Sequence, residues 1–241
     1  MLAACCLAAA APNPFDQSVT ALEPGDVLPA DSFTDQAGQA FHFSQLRGNT
    51  TLVGFIYTRC TDACPLITQK FTRLQRSLAG GPYRYVEASI DPARDTVPAI
   101  ATYARRYGVR LPGWFIITGS AAEMSHLWRA AGVSVIDNGR GDLIHNDRLI
   151  IVAADGHIAD IIDAVGWSPA EVGAQMRHIA GRSANPFARA DLALTNIVAQ
   201  FCGGSYRTAS GIVDALTALV LLGLASAVFY FVGRRIFVPG G

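Results

Sequence analysis

The stretch Thr50-Thr51-Leu52-Val53-Gly54-Phe55-Ile56-Tyr57-Thr58-Arg59-Cys60-Thr61-Asp62-Ala63-Cys64-Pro65 decides how this chain is read. Residues 50–57 are apolar or β-branched with no polar alternation, which suits a central strand covered on both faces. Pro65 opens a helix predicted to run to about Ala79, with Gly80-Gly81 ending it. A proline disfavours helix at the residue before it, so Cys64 is expected at or near the N-cap. Both thiols then lie where a buried strand meets a helix N-terminus. The helix dipole there favours thiolate and lowers thiol pKa values, and Arg59 adds a positive charge.

Outward from this stretch, strands and helices alternate. Ser32 to Phe43 reads as a small hairpin turning at Asp35-Gln36-Ala37-Gly38. Downstream, Tyr83–Ile90 is a strand and Pro98–Tyr107 a helix closed by Gly108. Trp114–Thr118 is a further strand. Ser120 and Glu123 form a capping box for a helix ending near Gly132. Leu149–Ala153 and Ile158–Ile162 flank Ala154-Asp155-Gly156-His157, a hairpin signal. Ser168-Pro169-Ala170-Glu171 caps a last helix ending near Gly181. This order predicts an α/β thioredoxin-like fold with an inserted helix and an N-terminal hairpin.

The two ends have a different character. Residues 1–23 form an apolar leader, a signal remnant with a tether, in which Leu2-Ala3-Ala4-Cys5 also reads as a lipoprotein cleavage box. The tether, rich in Pro, Asn and Asp, extends over 12–30. The domain proper is expected over 24–181, followed by a linker and short amphipathic helix over 182–210. Residues 211–233 read as a C-terminal transmembrane helix, with 19 uncharged residues from Ala215 to Gly233. At helical rise these span roughly 28 Å, close to a hydrocarbon core. Arg234 and Arg235 open a short tail, 234–241, expected on the cytoplasmic side, which puts the domain outside the cytoplasm. Charges balance at 19 Lys+Arg against 19 Asp+Glu, so the basic footprint of a nucleic-acid partner is missing.

Of the five cysteines, Cys5, Cys6, Cys60, Cys64 and Cys202, only Cys60 and Cys64 are spaced to serve one compact site. Dithiol oxidoreductases usually carry Cys-x2-Cys; here the spacing is Cys-x3-Cys, which leaves both sulfurs free to converge on one ion. Soft thiolates select Cu(I), and imidazole also serves Cu(II). Two thiolates are few for a stable site, so a third donor is expected from elsewhere. Of the five histidines, His126 and His178 fall in helices, His42 in the first hairpin and His157 in a turn. His145 lies just before the strand of the second hairpin, which in a thioredoxin-like sheet faces the cysteine loop. Cys202, ahead of the apolar run, reads as a buried or interface cysteine, with a further metal or thiol contact as the alternative.

Four segments together resemble the SCO/SenC family of copper proteins that serve cytochrome c oxidase assembly. They are Gly54 to Pro65, Ala88-Ser89-Ile90-Asp91-Pro92-Ala93-Arg94-Asp95-Thr96, the His145 segment with its apolar strand, and Ala154-Asp155-Gly156. The likeness covers roughly residues 24–181. It implies Cys60 and Cys64 as thiolate ligands of copper, His145 as the imidazole ligand, and Asp91 as a supporting or partner-contacting residue. It further implies a metallochaperone rather than an enzyme, with the dinuclear copper centre of oxidase subunit II as receiver, at the inner membrane. The family's usual anchor is N-terminal, whereas the span here is C-terminal. The rival reading is a membrane-anchored thiol–disulfide oxidoreductase in which Cys60 and Cys64 are the redox pair. A peroxidase using one thiol beside Thr58 and Arg59 fits the Cys-Pro pairing and the histidine less well.

Overall fold

The computed structural model describes residues 21–139, 142–163 and 166–184, together with Leu219. The strands are β1 (Phe33–Asp35), β2 (Ala40–Phe41), β3 (Thr50–Ile56), β4 (Tyr83–Ser89), β5 (Trp114–Thr118), β6 (Val135–Asp137), β7 (Leu143–His145), β8 (Arg148–Val152) and β9 (Ile158–Asp163). The helices are α1 (Ala63–Ser77), α2 (Val97–Tyr107), α3 (Ala121–Ala130) and α4 (Pro169–Ala184), with a short 3-10 turn at Phe43–Leu46. A seven-stranded sheet has the order β2-β1-β5-β4-β3-β8-β9. Strands β3, β4 and β5 run parallel, while β1 and β8 pair antiparallel on either side of them. This is the expected thioredoxin-like α/β arrangement.

Strand β3 sits inside the sheet, and all seven of its residues are buried. Right-handed crossovers from β3 to β4 and from β4 to β5 put α1 and α2 on the same face, and α1 packs beside both α2 and α4. The α1–sheet contact turns on one glycine. A Cβ at Gly54 would meet the Phe71 ring at 3.0 Å and Leu149 Cδ2 at 3.2 Å, so only a bare backbone lets the ring seat. Phe71, fully buried, then lies against Trp114 and Trp167. Burying one such ring stabilises by about 1.5–3 kcal/mol.

Both predicted capping boxes form, Ser120 with Glu123 and Ser168 with Glu171. Two expectations need correction, and one element is new. Residues from Leu22 onward are not a free tether: the Leu22 N–H donates to the Ala130 carbonyl, the Gly25 N–H to the Ile158 carbonyl, and Val27 bridges to His157. Helix α4 runs past Gly181 to Ala184. The stretch between α3 and β8, for which the sequence suggested no element, forms a separate two-stranded ribbon, β6 with β7. The leader with Cys5, the residues around Cys202 and the Ala215–Gly233 run, apart from Leu219, lie outside the described residues. Among the described residues no helix is long and apolar enough to cross a membrane.

Candidate metal centre

Strand β3 ends at Ile56, and the chain enters a short loop that delivers both cysteines. The Cys60 N–H turns back to the Tyr57 carbonyl at 3.2 Å. Helix α1 begins at Ala63, two residues before the predicted start, so Pro65 is its third residue. The first N–H groups of a helix have no internal partner, so proline costs nothing there. One of those unclaimed donors is used: the Cys64 N–H donates to Cys60 Sγ at 3.3 Å. Cys60 and Cys64 are both free thiols, Cys60 half-buried and Cys64 fully buried.

The two thiols are unequal. Burial pushes the Cys60 thiol up, but backbone N–H groups of Cys64 and Asp62, with the Cys64 thiol and the Tyr57 hydroxyl, outweigh it and hold Cys60 below the ordinary thiol value. Burial pushes the Cys64 thiol well above its ordinary value, and the neighbouring Cys60 adds to the effect. The helix N-terminus therefore activates one cysteine and not both, because desolvation wins at Cys64. Arg59 is exposed and is not among the groups that set either thiol.

Tyr57 joins the loop to the ribbon. Its hydroxyl meets both Cys60 and the backbone N–H of Leu143, while burial and the cysteines push it up to about 12. Leu143 and His145 alternate with exposed Ile144, so they share the inward side of β7. His145 is half-exposed, and its Nδ1 lies 3.0 Å from the Asn146 carbonyl oxygen. A carbonyl only accepts, so Nδ1 is the donor here, and in the neutral imidazole that leaves the Nε2 lone pair for metal ligation. Among the described residues, no three His, Cys, Asp or Glu side chains lie close enough together to hold an ion. The thiols form a pair; the imidazole is on the adjoining ribbon and does not complete a triad with them.

Asp91 is buried at the end of β4, with its carboxylate on the Arg94 guanidinium and its N–H on Ser89 Oγ at 3.0 Å. The carboxylate that reaches the cysteine loop is Asp95, four residues on. It accepts from the Thr58 N–H at 3.1 Å, from the Thr58 hydroxyl, and from the Ser89 hydroxyl at 2.6 Å. Burial pushes Asp95 up against these hydrogen bonds, with Asp91 adding to the rise. Below Cys64, Thr68 Oγ1 lies 3.1 Å from the Cys64 carbonyl, 2.7 Å from Glu87 Oε1 and 2.7 Å from the Tyr103 hydroxyl. Burial pushes the Glu87 carboxyl up to about 8, so it is largely protonated at neutral pH. Tyr57, Asp95 and Glu87 were not singled out in the sequence. The visible signals were Glu87 in the middle of a strand whose inner half is buried, and Asp95 inside the 88–96 segment. The remaining histidines are elsewhere: His126 pairs with Asp31, His157 with Asp155, and His42 and His178 are exposed.

Comparison with known proteins matches this architecture. The SCO1 protein homolog of Bacillus subtilis is 26% identical over 143 residues, covering 57% of this chain and 74% of that protein. The structure of Bradyrhizobium japonicum ScoI with copper bound superposes with a TM-score of 0.55 at 23% identity, over 64% of this chain and 99% of that chain. The structure of BsSco, described with a disulfide switch and as a member of the Sco family of cytochrome c oxidase assembly proteins, gives a TM-score of 0.57 at 23% identity, over 66% and 96%. These two structures share the fold. Residues 21–181, the whole of the domain that carries the cysteine pair, match the SCO1/SenC family, and the chain belongs to it.

Proposed function

We propose that this protein is a copper metallochaperone of cytochrome c oxidase assembly, with Cys60, Cys64 and His145 as the ligands of its cargo. The observation that carries the reading is the donor set. One thiol is held low in pKa at a helix mouth, a second lies beside it, and an imidazole on the adjoining ribbon donates through Nδ1 to the Asn146 carbonyl, leaving Nε2 as its metal-facing nitrogen. Soft sulfur donors select Cu(I), and imidazole extends the site to Cu(II). Copper held by B. japonicum ScoI and the oxidase-assembly role of the BsSco family support it. Loading requires the Cys60 and Cys64 protons to leave and the ribbon to bring His145 toward the sulfurs. An ion with few ligands exchanges readily onto a partner's donors, and the receiver in this reading is the dinuclear copper centre of oxidase subunit II.

In the same reading the apolar run 211–233 anchors the chain in the inner membrane. Arg234 and Arg235 lie on the cytoplasmic side and the 24–181 domain on the extracytoplasmic side. Sharing a membrane with the receiver raises effective concentration. Asp91 supports the site from the turn after β4.

The unequal thiols favour a second role, thiol–disulfide exchange. The Cys60 thiolate attacks a partner disulfide and releases one partner thiolate. Cys64 then loses its proton and attacks the Cys60 sulfur, releasing the second. Two electrons pass to the partner, and a Cys60–Cys64 disulfide remains.

Anaerobic Cu(I) titration of the full chain against a competing chelator tests the main reading. Cys60→Ser and Cys64→Ser are expected to abolish tight binding. His145→Ala is expected to weaken it by about 10–100-fold while leaving disulfide exchange intact. Equal copper affinity in wild type and all three variants refutes it, and disulfide exchange by a wild type that binds no copper favours the second role.

A further inference from the structure

The loop that carries Cys60 is fastened at one buried carboxylate. Asp95 is fully buried, and its two oxygens take the Thr58 N–H, the Thr58 hydroxyl and the Ser89 hydroxyl. Thr58 stands two residues ahead of Cys60, where the chain has left β3. Ser89 ends β4, the parallel neighbour of β3, and it also accepts the Asp91 N–H. Asp95 itself is set by its turn, its N–H donating to the Asp91 carbonyl at 2.8 Å. The bond to Thr58 crosses 37 positions in sequence and joins the strand exit to the turn ahead of α2. A carboxylate with its lone pairs committed to three donors is directional, so it fixes where Thr58 sits and which way the following residues leave.

We propose that Asp95 is the positioning residue of the dithiol: it latches Thr58 so that the Cys60 sulfur stays in register with Cys64. The inference rests on the metal-centre reading only for its copper readout, since the latch acts on the thiols whether or not copper is the cargo. Without the latch the loop samples more conformations, and the effective concentration of one sulfur at the other falls. Both copper retention and disulfide formation then suffer. Asp95→Asn keeps one acceptor for the Thr58 N–H, and the Ser89 hydroxyl can reverse to accept from the amide. That variant is therefore expected to rescue most of the positioning.

The test uses the full chain under anaerobic conditions, with wild type, Asp95→Asn, Asp95→Ala and Thr58→Val. Three quantities are read: loss of bound Cu(I) to a chelator, the Cys60–Cys64 disulfide equilibrium in a glutathione redox buffer, and Tm. Asp95→Ala is expected to release copper about tenfold faster or more. It is also expected to lower the disulfide equilibrium constant by about tenfold, equal to about 30 mV toward a more oxidising couple. Asp95→Asn stays within about threefold of wild type on both readouts, with Thr58→Val between the two. A merely structural carboxylate would lower Tm and move neither ratio in the folded protein. If Asp95→Ala does not fold, Thr58→Val decides. Wild-type copper release and wild-type disulfide equilibrium in the folded variants overturn the proposal. Should wild type bind no copper, the metallochaperone reading fails, and the disulfide equilibrium alone judges the latch.

Discussion

The cysteine loop and the β6–β7 ribbon border one another but are built in opposite ways. The loop grows out of β3, buried along its whole length, and is held by Asp95 from the side and by Tyr57 from within. The ribbon forms a sheet of its own, pairs with no strand of the main sheet, and carries Ile136 and Ile144 outward at 54% and 59% exposure. These two isoleucines face each other across the ribbon. Sulfur is thus preorganised and imidazole is not. In the proposed carrier role, fixed donors capture the cargo, and a loosely held donor completes the site and lets go.

The sharpest way to break this comparison is amide hydrogen exchange. Openings cost least where few buried contacts hold the backbone. Amides of Val135–Asp137 and Leu143–His145 are expected to exchange about a thousandfold faster than those of Thr50–Ile56, a difference on the order of 4 kcal/mol in opening free energy. Equal protection would make the ribbon part of the rigid domain. Next in size is the inequality within the pair. With Cys60 held low and Cys64 pushed up, iodoacetamide at pH 7 should modify Cys60 about a hundredfold faster than Cys64. Comparable rates in Cys60→Ser and Cys64→Ser would remove the asymmetry.

The smallest effect concerns Glu87, in the rigid half below Cys64. Its carboxyl titrates at about 8 in the fold against an ordinary 4.5. Between those values the folded state keeps the proton and the unfolded state has lost it. Stability therefore falls as pH rises from about 5 to 8 and levels off above that. Glu87→Gln is expected to remove on the order of 2 kcal/mol of that slope, seen by comparing denaturant midpoints at the two ends of the window. An unchanged slope would mean that Glu87 ionises without penalty inside the sheet.

Much of the fold could be read from local pattern. The unbroken apolar run of β3, the capping boxes at Ser120 and Ser168, and the turn at Asp155-Gly156 are contiguous signals, and the elements they predict form within about three residues. The ribbon went unread although Asn138-Gly139 between Val135-Ile136-Asp137 and Leu143-Ile144-His145 is a hairpin signal. Its strands are too short for an apolar period to register. The cysteine pair was legible because its spacing is local. The latch was not, since the Thr58–Asp95 bond depends on two strands lying side by side. The expectation for Cys64 failed for a physical reason: a dipole argument sees the helix end, but only the fold reveals how far the sulfur is from water.

That depth gives the site a fixed order of events. Cys64 is wholly covered and Cys60 is half open, so any visiting protein meets one sulfur first. In the proposed role an arriving thiol or metal donor engages at Cys60, and the covered sulfur acts second, from behind. A partner consequently needs a shape matched to a single atom at the helix mouth, and traffic in either direction passes through that one gate.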